Sequence, residues 1–170
     1  MKIFLIGMMG SGKSSVGKIL SKGLNLPFID IDKDIEKKEN LSVKKIFEQK
    51  GENYFRILET RTLKKNKKPA VVSCGGGIVL DKKNRDFLGN NGYTIYLKAS
   101  ISNLKKRLFD KNDRPLINNN DLQISLEKIY NQRKSLYDSV ANHSINTDKL
   151  SITQVCKLII EKIEIEKIYS

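Results

Sequence analysis

The sequence predicts a three-layer α/β domain with a mostly parallel central sheet. Two observations support this fold class. Short apolar runs, typical of strands that are buried on both faces, alternate along the chain with longer segments whose apolar residues have helical spacing. In addition, a glycine-rich loop joins the first apolar run to the first helical segment. Strands that alternate with helices form parallel sheets with helices on both faces.

At 170 residues the chain is long enough for one such domain with a sizeable core. It contains no internal repeat, linker or low-complexity tract, so we expect a single domain over residues 1–170. No apolar run approaches the ~20 residues that span a membrane, and the first apolar run starts directly after Lys2, so we expect neither a membrane segment nor a signal peptide. Cys74 and Cys156 lack metal-ligand spacing, which favours buried thiols and a cytoplasmic protein.

The first strand, loop and helix carry the most specific motif. Residues 7–14 (GMMGSGKS) fit the pattern G-x-x-x-x-G-K-[ST] of the phosphate-binding P-loop, or Walker A motif. The apolar run at residues 3–6 predicts a buried strand before the loop, and helical spacing after it predicts that Lys13 and Ser14 open a helix. This order places backbone N–H groups and the positive end of a helix around phosphates. The motif indicates an NTP-binding site, in which Lys13 would reach the β- and γ-phosphates and Ser14 would ligate Mg²⁺.

Residues 28–32 alternate apolar and acidic side chains, which predicts a strand with Asp30 and Asp32 on the same side. The carboxyl ends of parallel strands gather at the ligand crevice of a sheet. We therefore expect both carboxylates to face the phosphate loop. The alternative is a solvated edge strand whose two acids belong to no site.

Two helical segments follow, and Gly51 separates them. Ser42 is the candidate N-cap of the first segment. The second covers residues 52–65, and Arg56 and Glu59 lie one turn apart on a face away from its core positions. Taken alone, such a pair is more often a surface ion pair than part of a site.

A second buried strand is predicted at residues 69–74, and three glycines, residues 75–77, follow it directly. Consecutive glycines at the end of a strand either form a turn or allow a ligand to approach the backbone closely. Because this strand end is expected at the same sheet edge as the P-loop, we favour the ligand interpretation.

The remaining elements continue the alternation of strands and helices. They are a strand at 93–97, a helix from Ser100 to about Phe109, a helix at 122–137, a strand at 141–146 and a helix at 152–163. Arg133 lies among the apolar positions of the 122–137 helix. His143 is the only histidine, and in a short strand a structural role is favoured over a catalytic one.

Residues 110–120 break the periodicity. They are polar and rich in asparagine, and they carry one arginine, Arg114, before a proline. This composition favours a mobile lid of the kind that closes over phosphates in kinases, with an inert surface loop as the alternative.

The net charge of +13 and the pI near 9.7 raise the possibility of nucleic-acid binding. The lysines, however, are spread along the whole chain without an aromatic platform or an RNA-binding signature, which favours solvated helix faces. Arginine is scarce, and a chain that uses lysine elsewhere can keep arginine for bidentate recognition of anions. The arginines are Arg56, Arg61, Arg85, Arg107, Arg114 and Arg133.

No apolar strand ends in the aspartate of a Walker B motif, and GTPase motifs are absent, which leaves a small P-loop kinase. In these features the chain resembles the shikimate kinase family over essentially its full length. Six segments match in the family's order and spacing: residues 7–15, 28–36, 42–59, 75–77, 114–116 and 133–137.

The resemblance implies a P-loop kinase fold with a mobile lid at about 110–120 and an acceptor-binding region at about 30–60. It also implies an ATP-dependent phosphotransferase of aromatic amino-acid biosynthesis. This enzyme uses Mg²⁺ and transfers the γ-phosphoryl of ATP to the 3-hydroxyl of shikimate. We expect it to act as a monomer without nucleic acid or membrane.

The resemblance further implies the roles of individual residues. Asp32 would bind the acceptor hydroxyls and orient the attacking 3-hydroxyl, with deprotonation as a further role. Arg56 and Arg133 would clamp the shikimate carboxylate, and the backbone of Gly76 would pack against the substrate.

On the nucleotide side, Asp30 would hold a water molecule bound to Mg²⁺, and Ser14 would bind the metal directly. Lys13 and Arg114 would neutralise charge on the transferring phosphoryl group. The residues that would contact the nucleotide are Gly10, Ser11, Gly12, Lys13, Ser14, Ser15 and Arg114.

The sequence departs from the family at two points. Residues 146–149 offer lysine where the family often has an arginine that stacks on the adenine, and residues 39–41 lack the usual Thr-Gly turn, although Asn40 can adopt the left-handed conformation. A gluconate- or adenylate-kinase-like enzyme is the nearest alternative, since arginines can also hold a phosphate. An NTP-dependent nucleic-acid-binding protein is the alternative from a different class.

Overall fold

A five-stranded parallel sheet in the order β2-β3-β1-β4-β5 forms the centre of the protein. The computed structural model describes residues 1–109 and 122–166. The strands are β1 (Lys2–Ile6), β2 (Phe28–Asp30), β3 (Ala70–Ser73), β4 (Tyr93–Lys98) and β5 (His143–Asn146).

Helices cover both faces of this sheet. They are α1 (Lys13–Gly23), α2 (Ile31–Glu39), α3 (Val43–Lys65), α4 (Lys82–Asn90), α5 (Ile101–Phe109), α6 (Leu122–Val140) and α7 (Ile152–Ile165), with a 3₁₀ turn at Ile78–Leu80. This arrangement confirms the predicted three-layer α/β/α fold with a parallel sheet.

Side chains of alternate strand residues enter two separate cores, one on each face of the sheet. Phe4 and Tyr96 pack with residues of α2 to α6, whereas Ile3 and Ile95 pack with α1 and α7. The central strands are therefore buried on both sides, as their uninterrupted apolar sequences predict. Both cysteines are buried free thiols.

The prediction of one strand over residues 28–32 is wrong at its end. The strand stops at Asp30, whose side chain accepts a hydrogen bond from the Lys33 amide at 3.3 Å and thereby caps α2. Asp32 consequently lies in the first turn of a helix, where a carboxylate is favoured by the helix dipole. The helix ends at Asn40, which takes the left-handed conformation with φ of 55°.

Gly51 interrupts α3 as predicted. Its φ of 81° and ψ of 164° lie outside the helical region, so the chain bends between the part that starts at the Ser42 cap and the part that carries Arg56. The predicted limits of α6, α7 and β5 differ from the observed ones by two or three residues at one end, whereas α5 ends at Phe109 as predicted. The sequence interpretation did not include α4 or the 3₁₀ turn.

None of the helices within residues 1–109 and 122–166 is long and apolar enough to span a membrane. The predicted lid at residues 110–120, including Arg114, lies outside the described residues.

Candidate active site

Three strand ends meet at one edge of the sheet. The P-loop follows β1, the carboxylate of Asp30 ends β2, and Ser73 with the three glycines ends β3. The register of the sheet pairs Ser73 with Leu5 on one side and with Asp30 on the other. The predicted nucleotide and acceptor residues are therefore gathered at the carboxyl edge, where parallel sheets bind ligands.

The P-loop folds closely around its own lysine. Gly12 is the N-cap of α1 and has a φ of 97°, a conformation that favours glycine. The Lys13 ammonium donates to the carbonyl oxygens of Gly7 at 2.9 Å and of Met8 at 2.8 Å. Because Lys13 is also buried, its charge is held at the mouth of the loop, next to the end of the helix that favours anions.

A cluster of oxygen atoms lies beside the loop. The Ser14 hydroxyl donates to Asp30 Oδ2 at 2.6 Å, and Ser73 Oγ lies 3.3 Å from Ser14 Oγ. Hydroxyl and carboxylate oxygens are the ligands that Mg²⁺ prefers, and this ion usually keeps several waters and binds substrate phosphates. Within the described residues no group of three or more His, Cys, Asp or Glu could hold a metal alone. The cluster therefore fits an ion that is shared between Ser14, water and a nucleotide.

A cavity of about 450 Å³ opens in front of the P-loop. Its walls are the loop itself, Arg107 and Leu108 of α5, and the segment from Thr147 to the start of α7. Six of the seven predicted nucleotide contacts line it: Gly10, Ser11, Gly12, Lys13, Ser14 and Ser15. The seventh, Arg114, lies outside the described residues. The cavity is large enough for a nucleotide.

Arg107 is a pocket residue to which the sequence interpretation gave no role. Its guanidinium donates to the Thr147 carbonyl at 2.9 Å and to the Thr147 hydroxyl at 3.2 Å, and it reaches the Gly10 carbonyl at 3.5 Å. Asp148 accepts from the Ser100 amide at 2.9 Å, so the loop after β5 is attached to both ends of α5. Residues 146–149 contain no arginine, but α5 supplies one that is bonded to this segment. The scarcity of arginine in the sequence was the signal that could have identified Arg107.

A second pocket lies beside the first. It is lined by Met9, Asp32, Val43, Phe47, Phe55, Arg56, Glu59, the three glycines at 75–77 and Arg133. All four predicted acceptor residues, Asp32, Arg56, Gly76 and Arg133, therefore lie around one pocket. Asp32 and Gly76 also line the nucleotide cavity, so these two residues form the boundary at which a group could pass from one ligand to the other.

The Arg56–Glu59 pair belongs to this pocket, and its interpretation as a surface ion pair is wrong. Arg56 Nη1 donates to Glu59 Oε2 at 2.9 Å, and the Glu59 side chain is fully buried. On its other edge, Arg56 donates through Nε and Nη2 to Glu52 Oε1 at 3.1 and 2.8 Å. The guanidinium also lies 5.4 Å from the centre of the Phe55 ring, which helps to fix its orientation.

Burial raises the pKa of Glu59 to about 7, because the surroundings disfavour its charged form. The Arg56 charge opposes this rise in the pKa, and the Asp32 charge adds to it. Among the described residues, neither Glu59 Oε1 nor Arg133 Nε has a hydrogen-bond partner. Buried polar atoms of this kind are uncommon in folded proteins and are expected where a polar ligand completes the site.

The glycines after β3 make room for these charged side chains. A Cβ atom at Gly75 would contact the Glu59 carboxylate and lie 2.7 Å from Asp32 Oδ1. A Cβ atom at Gly77 would overlap the Arg56 guanidinium. Close approach to the backbone is thus the reason for glycine at both positions. His143, on β5, lines neither pocket.

Comparisons with known proteins agree with this arrangement. A family model described as shikimate kinase matches residues 9–164. A shikimate kinase from Sulfurihydrogenibium sp. is 44% identical over 95% of this chain and 97% of its own length, and one from Persephonella marina is 39% identical over 95% and 98%. Among solved structures, a shikimate kinase from Acinetobacter baumannii in complex with shikimate has a TM-score of 0.94 at 32% identity, covering 98% of this chain and 94% of that one.

More distant structures share only the fold. A deoxyadenosine kinase from M. mycoides with bound dATP has a TM-score of 0.63 at 19% identity, over 96% of this chain and 100% of that one. A gluconokinase from Sinorhizobium meliloti has a TM-score of 0.56 at 18% identity, over 97% of this chain and 96% of that one.

Proposed function

The chain belongs to the shikimate kinase family, and from this premise we propose that it transfers the γ-phosphoryl of ATP to the 3-hydroxyl of shikimate. The products are shikimate 3-phosphate and ADP. The observation that carries the proposal is the junction of two pockets at Asp32 and Gly76, one built around a P-loop and the other around two arginines. In-line positioning and charge stabilisation are what phosphoryl transfer requires of a protein.

The nucleotide is held by backbone amides of the P-loop and by the side chains of Lys13, Ser14 and Ser15. Mg²⁺ would be held by Ser14 and, through water, by Asp30, whose carboxylate accepts from the Ser14 hydroxyl. Such an ion neutralises charge on the phosphates. Arg107 fixes the loop around Thr147, which forms the far wall of the cavity.

The acceptor carboxylate is clamped by Arg56 and Arg133, both of which line the second pocket. The backbone of Gly76 packs against the acceptor ring. Arg133 is almost fully buried, and a desolvated guanidinium binds an anion more strongly than one in water.

Asp32 stands at the boundary and acts on the attacking group. The 3-hydroxyl oxygen forms the new bond to the γ-phosphorus while the bond to the bridging oxygen of ADP breaks. The hydroxyl proton passes to the Asp32 carboxylate. Lys13 neutralises the charge that develops on the phosphoryl group. Arg114 would act with Lys13 from the proposed lid at 110–120.

We propose in addition that residues 1–170 act as one domain and as a monomer, in the cytoplasm and without nucleic acid. The two pockets share Asp32 and Gly76, which supports a single domain. The lysines are scattered along the chain and do not form one basic tract.

The function is tested by measuring ADP release in the presence of Mg·ATP and a panel of acceptors. Shikimate should be phosphorylated, whereas gluconate and AMP should give only the background rate. ADP release with AMP or gluconate and none with shikimate would show that the assignment is wrong.

A further inference from the structure

The three glycines at the acceptor pocket form a tight turn. The Ile78 amide donates to the Gly75 carbonyl at 3.1 Å, so Gly76 and Gly77 are the central residues of the turn. Gly77 has φ of −95° and ψ of −1°, which are the values of a type I turn. A type II turn differs mainly by a flip of the peptide between the two central residues, and it needs a positive φ that glycine tolerates. The glycine sequence alone therefore permits both orientations of this peptide.

The side chain of Tyr137 holds the peptide in one orientation. Its hydroxyl donates to the Gly76 carbonyl oxygen, and Tyr137 is fully buried on α6, one turn after Arg133. After a flip, the carbonyl would leave the hydroxyl, and this buried donor would keep only Met8 Sδ at 3.8 Å, a weak acceptor. Exchanging a carbonyl acceptor for a thioether sulfur is unfavourable for a buried hydroxyl, so the tyrosine favours the type I turn.

The orientation of this peptide matters for the acceptor. The carbonyl and amide groups of a trans peptide point in opposite directions, and the described residues contain no cis peptide bond. With the Gly76 carbonyl on the Tyr137 side, the Gly77 amide points to the other side. Gly77 lines the acceptor pocket, whereas Tyr137 does not.

We propose that Tyr137 is a positioning residue that locks the Gly76–Gly77 peptide and presents the Gly77 amide to the acceptor. The identity of the acceptor rests on the proposed function, but the lock itself does not. Arg133 and Tyr137 occupy neighbouring turns of α6, so this helix supplies both a ligand contact and the support for a second one.

The first test compares Tyr137→Phe with Tyr96→Phe. Tyr96 is also buried, its ring centre lies 4.9 Å from that of Tyr137, and it lines neither pocket, so it controls for the loss of a buried hydroxyl. Tyr137→Phe should raise the KM for shikimate about tenfold, the effect of one lost hydrogen bond, and should change the KM for ATP less than twofold. Tyr96→Phe should leave both constants unchanged.

The second test does not depend on catalysis. Labelling glycine with ¹⁵N marks only 11 residues, so the Gly77 amide can be followed by NMR. In Tyr137→Phe its signal should shift, double or broaden, as expected for a peptide that samples two orientations, and in Tyr96→Phe it should not. An unchanged Gly77 signal in Tyr137→Phe would overturn the lock, whatever happens to the KM. A wild-type protein that does not phosphorylate shikimate would refute the proposed function and leave the NMR test in place.

Discussion

Glu52 occupies the edge of Arg56 that a second carboxylate would use. Two nitrogens of the guanidinium, Nε and Nη2, donate to Glu52 Oε1 at 3.1 and 2.8 Å. Bidentate binding of a carboxylate by arginine uses two parallel N–H groups of this kind. Because about half of the Glu52 side chain is exposed, this contact is weak and can be exchanged for another. The acceptor carboxylate should therefore compete with Glu52 for Arg56.

Replacing Glu52 with glutamine should strengthen acceptor binding. We expect the KM for shikimate to fall about two- to fivefold, as befits an exposed ion pair of up to about 1 kcal/mol, with kcat unchanged. Glu48→Gln is the matched control, since Glu48 is an exposed residue of the same helix, on the other side of Gly51. A rise in the KM for Glu52→Gln would show that Glu52 supports Arg56 instead of competing for it.

The pKa of Glu59 predicts a dependence of stability on pH. In the folded protein burial raises this pKa from 4.5 to about 7, so the folded state binds one more proton than the unfolded chain between these values. The stability from this proton is fully present below pH 4.5 and is lost as the pH rises through 7.

The free energy of unfolding should therefore fall, relative to that of Glu59→Gln, by up to about 3 kcal/mol between pH 4.5 and 7.5. Denaturant unfolding of both proteins across this range measures the difference, and the variant cancels the contribution of other groups. If the free energy of unfolding of the wild type rose with pH relative to that of Glu59→Gln, the pKa of Glu59 would be lowered by folding.

The two aspartates should give different phenotypes. Asp32→Asn should abolish turnover and leave ATP affinity nearly intact, because Asp32 acts on the acceptor. Asp30→Asn should raise the Mg²⁺ requirement, because Asp30 accepts from Ser14. Nucleotide affinity and the Mg²⁺ dependence of the rate are measured for both, with the exposed Asp34→Asn as the control in the same turn of α2. Equal changes of both quantities in the two variants would contradict this division of roles.

The arginine of the proposed lid should act on the transition state. Arg114→Ala is expected to lower kcat roughly 10²-fold, the size seen for single preorganised donors, and to change the KM for shikimate far less. Arg56→Ala should mainly raise the KM for shikimate, by an amount equivalent to several kcal/mol at most. Exposed Arg61→Ala is the control. If Arg114→Ala changed only the KM for shikimate, Arg114 would belong to the acceptor site.

The sequence predicts the layers and the nucleotide site well because both depend on local patterns. Uninterrupted apolar runs identify β1, β3 and β4, and the P-loop motif fixes Lys13 and Ser14 within one short segment. The end of β2 was missed, since alternation of apolar and acidic residues suits a strand, whereas capping by Asp30 starts a helix there. The boundary between the strand and the helix is decided by one or two residues, through capping by a side chain, and the alternation of residue types does not report it.

Contacts between distant segments were harder to predict. The burial of Glu59 and the reach of Arg107 to Thr147, 40 residues further along the chain, depend on packing that no local pattern reports. The same is true of the bond from Tyr137 to Gly76, which joins residues 61 positions apart.

Three glycines in a row suggest a flexible hinge, but here the outer two are required because neighbouring side chains occupy the space of their Cβ atoms. The outer two positions are filled from outside, by two carboxylates at Gly75 and by a guanidinium at Gly77, whereas a Cβ atom at Gly76 would have its nearest neighbour at 3.4 Å. A library randomised over residues 75–77 and screened for folding alone should therefore return glycine at both ends and admit alanine only in the middle. Selection at this turn acts on the space that charged neighbours need, so few substitutions are tolerated at Gly75 and Gly77.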